Sequence, residues 1–287
     1  MENINEINVK LKKRIWELDF IRGFLILLMV VDHLMITVAF FFGPEWFKFA
    51  GGAENGFTKF FQASTFYYYH DARAVIQPIV VMTFIALCGL STGFSRNNLK
   101  RGCQLGLVAL LISAATRATG DDSLFISFGI IHMLASGIIV WAVISAVTRN
   151  NKHANLIIGI AITMIIAGLY FGAQSSDAVK YKIADCLYFL IETEESFDMS
   201  RGDFYPLIPW AGVFFLAAGL SPYLYPDKTS HLKRLDGKWN KPLCFFGRHT
   251  LIVYVFHVLV IIVVLEIISY LFATKGVWLF TDFLNFQ

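Results

Sequence analysis

The run from Arg14 to His33, RIWELDFIRGFLILLMVVDH, constrains what this chain can fold into more than any other stretch. Residues 15–41 are apolar enough to cross a bilayer core of roughly 30 Å, yet they hold Glu17, Asp19, Arg22, Asp32 and His33. A plain anchor does not keep such groups, because each charge at bilayer depth is costly. As a helix rising about 1.5 Å per residue, the segment sets His33 about 28 Å from Arg14. With Arg14 on the cytoplasmic side, His33 then stands near the opposite interface. Successive residues turn by about 100°, so Arg22 and His33 return to within roughly 20° of one face, and Asp19 precedes Arg22 on the same stripe. Ionisable groups inside a span usually face a bundle interior and mark a pathway. The simpler alternative is an i,i+3 ion pair, Asp19 with Arg22, at the membrane edge and a solvated end at Asp32 and His33.

The rest of the chain repeats the apolar pattern. Of 287 residues, 56% are hydrophobic and 16% charged, too little polar surface to cover a soluble domain. The reading is an all-α, polytopic membrane helix bundle of about seven transmembrane helices, at about 15–41, 74–95, 103–119, 124–147, 155–173, 204–224 and 243–273. It is read as one domain over 1–287, with a cytoplasmic tail at 1–14, an aromatic outer loop at 42–73 and an acidic outer loop at 174–203. The apolar run after the basic N-terminal stretch is longer than a signal-peptide core and has no small-residue cleavage site, so it is read as retained. A net charge of +3 spread over short loops gives no basic patch for nucleic acid. The four cysteines, Cys88, Cys103, Cys186 and Cys244, lack metal-ligand spacing, and no metal is expected. Only Cys186 falls on the outer side, so no structural disulfide is expected.

Lys and Arg set the orientation. The tail with segments 96–101, 148–154 and 225–242 carries fourteen, against eight in the longer outer segments. The bias places the N-terminus in the cytoplasm and the C-terminus outside a cell membrane. Acidic residues gather outside, Asp203 among them, and suit a cationic or hydroxylated substrate. The second span has Pro78 near its start and a small-residue series, Ala86, Gly89, Ser91, Thr92 and Gly93, read as helix packing. Most of Phe60 to Tyr69 reads as an aromatic belt.

Three histidines, His33, His132 and His257, come from three spans at middle to outer depth, and Arg22, Arg248 and His249 come from two spans at inner depth. His249 and His257, eight residues apart, fall close to one face of the last span. Histidine titrates near neutrality and suits a general base, with Asp32 as support for its protonated form. Inner arginines suit a phosphate-bearing donor. For His132, His249 and His257 taken singly, an interhelical hydrogen bond is the competing reading.

Four stretches, RIWELDFIRGFLILLMVVDH, SFGIIHMLA, DFYPLIPWAGVFFLAAG and GRHTLIVYVFH, together resemble the heparan-alpha-glucosaminide N-acetyltransferase catalytic family, in that family's order. The first is also similar to the opening span of the type-three membrane acyltransferases, where an Asp, an Arg three later and a His fourteen after the Asp recur, here Asp19, Arg22 and His33. The resemblance implies transfer of acetyl from cytoplasmic acetyl-CoA to an amino or hydroxyl sugar across the bilayer, with no permanent cofactor and with a homodimer as the suggested assembly. Carried over by position, His33 is the catalytic base and Arg22 belongs to the donor path. From their own placement, Asp32 is expected to support the base, Asp19, Arg248 and His249 to join Arg22 in binding the donor, and His132, His257 and Asp203 to lie toward the acceptor. The animal enzyme is similar but has Asn where His33 stands and its histidine in the outer loop, which makes His70 the second candidate. A small-molecule or proton-coupled transporter is the alternative from another class, although neither repeats nor paired interrupted helices are seen.

Overall fold

The computed structural model describes residues 15–122, 124–175, 189–190 and 203–273. The basic tail, Cys186 and the acidic loop apart from its ends and residues 189–190 lie outside these residues. Ten α-helices, with short 3₁₀ and π stretches and no strand, make up the described residues. They divide into two compact units, residues 15–80 with 231–273 and residues 81–230, described separately here.

In the first unit, α1 (Trp16–Thr37) starts with Glu17 and Asp19 in its first turn, where carboxylates favour the positive end of the helix dipole. It runs through a π-helical stretch, Val38–Phe42, into α2 (Gly43–Phe49), whose Pro44 lies in the first turn, where the missing N–H is not needed. The expected outer loop is thus largely helical. Its second helix, α3 (Gly56–Tyr69), opens on a capping box: Asn55 Oδ1 accepts from the backbone of Phe57 and Thr58, and Thr58 Oγ1 accepts from Asn55 N. Only part of the loop's aromatic surface faces outward. Phe66 and Tyr69 are exposed, but Phe42 and Trp46 are buried with Val38, Ile261 and Leu265, and Phe57 and Phe60 pack against them.

The seventh expected span is two helices, α9 (Lys241–Arg248) and α10 (Thr250–Ile268). His249 breaks the run at φ −107 and ψ 20, so the expectation that His249 and His257 share a face of one continuous helix is corrected. α9 lies against α1 at two glycines. A Cβ on Gly23 would strike the Leu243 carbonyl, and one on Gly247 the Asp19 carbonyl. Only glycine permits backbones this close.

The second unit holds the second half of α4 (Asp71–Leu90) with its 3₁₀ extension Ser91–Phe94, then α5 (Asn98–Ala118), α6 (Ile130–Val147), α7 (Lys152–Ser175) and α8 (Leu207–Leu224). The expected small-residue series does pack: Gly89 meets the Phe214 carbonyl and Gly93 meets Ser221. Residues 125–129, expected inside the fourth span, precede α6 without helical structure.

Six described helical segments are long and apolar enough to cross a membrane: Trp16–Phe49, Asp71–Phe94, Ile130–Val147, Lys152–Gly172, Leu207–Leu224 and Thr250–Leu271. The third expected span is present as α5, 21 residues long, but Lys100, Arg101 and Arg117 leave it too polar to join the six. Ile157, Met164, Ile165 and Leu169 on α7 and Ile252, Phe256, Leu259 and Val260 on α10 are exposed. Apolar faces this large are stable against lipid and not against water. The chain is a multi-pass membrane protein.

Candidate active site

α1 carries a cluster at each end of its polar stripe, both in the first unit. Near its start, Asp19 is buried and accepts from two guanidiniums, Arg22 Nη1 to Oδ1 at 3.3 Å and Arg248 Nε to Oδ2 at 3.3 Å. The i,i+3 pair is therefore present, but it shares its carboxylate with a third residue from α9. Asp19 thus holds two guanidiniums side by side, and the Arg248 side chain is 46% exposed. Such a fork can take a phosphate. Gly23 and Gly247, each next to one of these arginines, allow the helix approach that brings them together. The Arg-Gly and Gly-Arg dipeptides were the legible signal, unrecognised because glycine was read only in the second span.

His33 and Asp32 sit further along α1. Neighbouring helix residues diverge by about 100°, and the two side chains go to different partners. Asp32 accepts from Arg73 Nε at 2.7 Å and Nη2 at 3.1 Å, and from the Tyr67 hydroxyl at 2.9 Å. Arg73 also stacks on the Tyr68 ring at 4.6 Å. Burial first, and then Asp32, pushes the Tyr67 phenol above its usual 10.0, which keeps it a donor. No hydrogen bond joins Asp32 to His33 among the described residues. Arg73 and Tyr67 are members of the cluster that sequence reasoning missed. An arginine heading an apolar run is a signal in itself.

His33 instead meets His257. The ring centroids are 4.8 Å apart and the planes nearly perpendicular. His33 Nδ1 lies 2.9 Å from the Met29 carbonyl, and His257 Nδ1 lies 2.6 Å from that of Tyr254. A carbonyl only accepts, so each Nδ1 must carry the proton and each neutral ring keeps its lone pair on Nε2. His257 is buried and its Nε2 has no hydrogen-bond partner among the described residues. The pair therefore brings together two nitrogen bases, His33 on α1, which also carries Asp19 and Arg22, and His257 on α10.

The remaining candidates differ in kind. His70 is exposed at the end of α3, and its Nδ1 accepts from Ala72 N at 3.1 Å, capping the start of α4. In the neutral ring the proton is then on Nε2, and the only lone pair is occupied. His249 is exposed, with Nδ1 2.8 Å from the Phe245 carbonyl and its ring on Phe245. His132 lies in the second unit, where its Nδ1 accepts from Gly129 N at 3.2 Å and its Nε2 is 3.0 Å from Ser113 Oγ. Both ring nitrogens are engaged there, as the interhelical reading expects. Asp203 Oδ2 accepts from Ile130 N at 3.1 Å, at the same end of α6. Among the described residues no group of three or more His, Cys, Asp or Glu is placed to hold a metal ion.

Residues 14–259 match the family model described as heparan-alpha-glucosaminide N-acetyltransferase, catalytic. No curated protein and no solved structure matches the chain.

Proposed function

We propose a reaction from the premise that the chain belongs to the heparan-alpha-glucosaminide N-acetyltransferase catalytic family and is a membrane acetyltransferase. Acetyl passes from acetyl-CoA on the cytoplasmic side to an amino or hydroxyl sugar on the other side. His33 Nε2 removes the acceptor proton as the new N–C or O–C bond forms, and that proton ends on the sulfur that leaves with coenzyme A. His257, against the His33 ring, faces the same step with a second lone pair. Arg22 and Arg248, held in place by Asp19, take a phosphate of the donor.

One observation carries the assignment of the base. Of the histidines described, His33 lies on α1 with Asp19 and Arg22 and has its Nδ1 tied to a carbonyl, which leaves Nε2 as the basic atom. Asp32 is a positioning residue in this scheme, since Arg73 and Tyr67 occupy its oxygens and it fixes α1 rather than stabilising an imidazolium.

The test is chemical. Purified protein with radiolabelled acetyl-CoA and a panel of amino sugars and plain sugars is expected to label at least one acceptor. Absence of label on every acceptor, with the donor intact, would contradict the transferase reading.

A further inference from the structure

The second unit contains a cavity of about 620 Å³ that the proposed reaction does not use. Its size falls in the range of small-molecule sites, about 300–1,000 Å³. It lies where the Ser91–Phe94 turn, the start of α5, the α6–α7 turn and the end of α8 meet. One part of the wall is apolar, with Trp141, Val143 and Tyr225, and the polar part includes Arg96, Lys152 and Lys228. Among the described residues no Asp or Glu lines it.

All three cations are exposed to solvent, and together they give this cavity a positive field that attracts an anion. Among the described residues none of the three has a carboxylate partner. Lys152 lies over the Tyr223 ring, 5.7 Å from Nζ to centroid. Lys228 and Asn150, which also line the cavity, hold left-handed backbone at φ 52 and 58. Both are turn positions: Asn150 N donates to the Ser145 carbonyl at 2.7 Å past the end of α6, and Lys228 N to the Tyr225 carbonyl at 3.1 Å. Asn98, which also lines the cavity, donates from Nδ2 to the Thr92 carbonyl at 3.0 Å. Three cations without a carboxylate partner call for an anionic ligand.

We propose that this cavity binds a phosphate ester borne on an amphiphilic body. The phosphate meets Arg96, Lys152 and Lys228, and the body lies along Trp141 and Tyr225. Two sources share this chemistry, coenzyme A and the headgroup of an anionic phospholipid. The site rests on the cavity and its charges, apart from the placing of the donor at Arg22 and Arg248.

The experiment uses the purified full chain in neutral detergent, with coenzyme A binding measured by equilibrium dialysis and retained phosphatidylglycerol counted by native mass spectrometry. Arg96→Gln/Lys228→Gln is compared with wild type, and the single Lys152→Gln variant covers the case in which the double variant does not fold. Loss of about tenfold or more in coenzyme A affinity supports the site with coenzyme A as its ligand. Loss of the bound phospholipid with coenzyme A affinity unchanged supports it with a lipid headgroup. Folded variants that keep both wild-type coenzyme A affinity and phospholipid retention would overturn the proposal. Because the readout is binding and not turnover, failure here leaves the acetyl-transfer reaction open to its own test.

Discussion

His33 and His70 differ in which ring nitrogen is engaged, and that difference assigns their chemistry. Nδ1 of His33 faces a carbonyl and must donate, so the lone pair is on Nε2; Nδ1 of His70 accepts from a backbone N–H, so its lone pair is occupied. The same reasoning at residue scale explains Asp32. It is only 14% exposed in its side chain and is matched by a bidentate Arg73. Removing Arg73 leaves a mostly buried carboxylate, and Arg73→Ala is expected to destabilise the first unit by about 3–5 kcal/mol, seen as a lower thermal midpoint in detergent. Tyr67→Phe removes one hydrogen bond to a carboxylate and is expected to cost about 1.5–3 kcal/mol. Because the folded-state pKa of Tyr67 is raised, that contribution is fully present below the unfolded phenol value of 10.0 and is lost as pH rises through the folded value. The stability gap between wild type and Tyr67→Phe should therefore stay constant from pH 6 to 9. A gap that closes within that window would contradict the assignment.

At the scale of helices, α1 was the most legible element. Its length, its start and the face shared by Asp19, Arg22 and His33 follow from a period of about 3.6 residues, and the helix is continuous from Trp16 to Thr37. The last span was less legible, since GRHTLIVYVFH has no proline to announce the break at His249, which comes from tertiary packing of α9 on α1. Partners from distant segments were hidden for the same reason. Nothing near Asp32 in the chain predicts Arg73, and nothing near His33 predicts the ring of His257, because these meetings depend on how the helices pack. The close approach of α1 to α9 yields a direct prediction. Gly247→Ala forces a Cβ onto the Asp19 carbonyl, which should cost about 1–3 kcal/mol or more and separate Arg248 from Asp19. Acetyl-CoA affinity should fall in that variant even though no charge is removed. An unchanged affinity and midpoint would show that the helices can part without consequence.

At the scale of the molecule, the reading requires two clusters on one helix to serve opposite sides of a bilayer. Segments 96–101, 148–154 and 225–242, assigned to one side by their basic residues, do contribute Arg96, Lys152 and Lys228 to a single cavity in the second unit. A common side for these segments allows that meeting. We expect that side to be cytoplasmic, so that in intact cells a Lys238→Cys variant resists a membrane-impermeant thiol reagent and a Glu194→Cys variant reacts; the reverse pattern would invert the topology. The most direct test of the whole account is acetyl transfer in sealed proteoliposomes of uniform orientation, with radiolabelled acetyl-CoA on the side of Lys228 to Lys241 and an amino sugar identified as acceptor on the other. The account predicts labelled sugar in the opposite compartment. It predicts that His33→Ala lowers the rate by about 10²–10⁴ while acetyl-CoA still binds, and that His70→Ala keeps most of the rate. Near wild-type transfer by His33→Ala together with loss in His70→Ala would move the base to the outer loop and contradict the central claim.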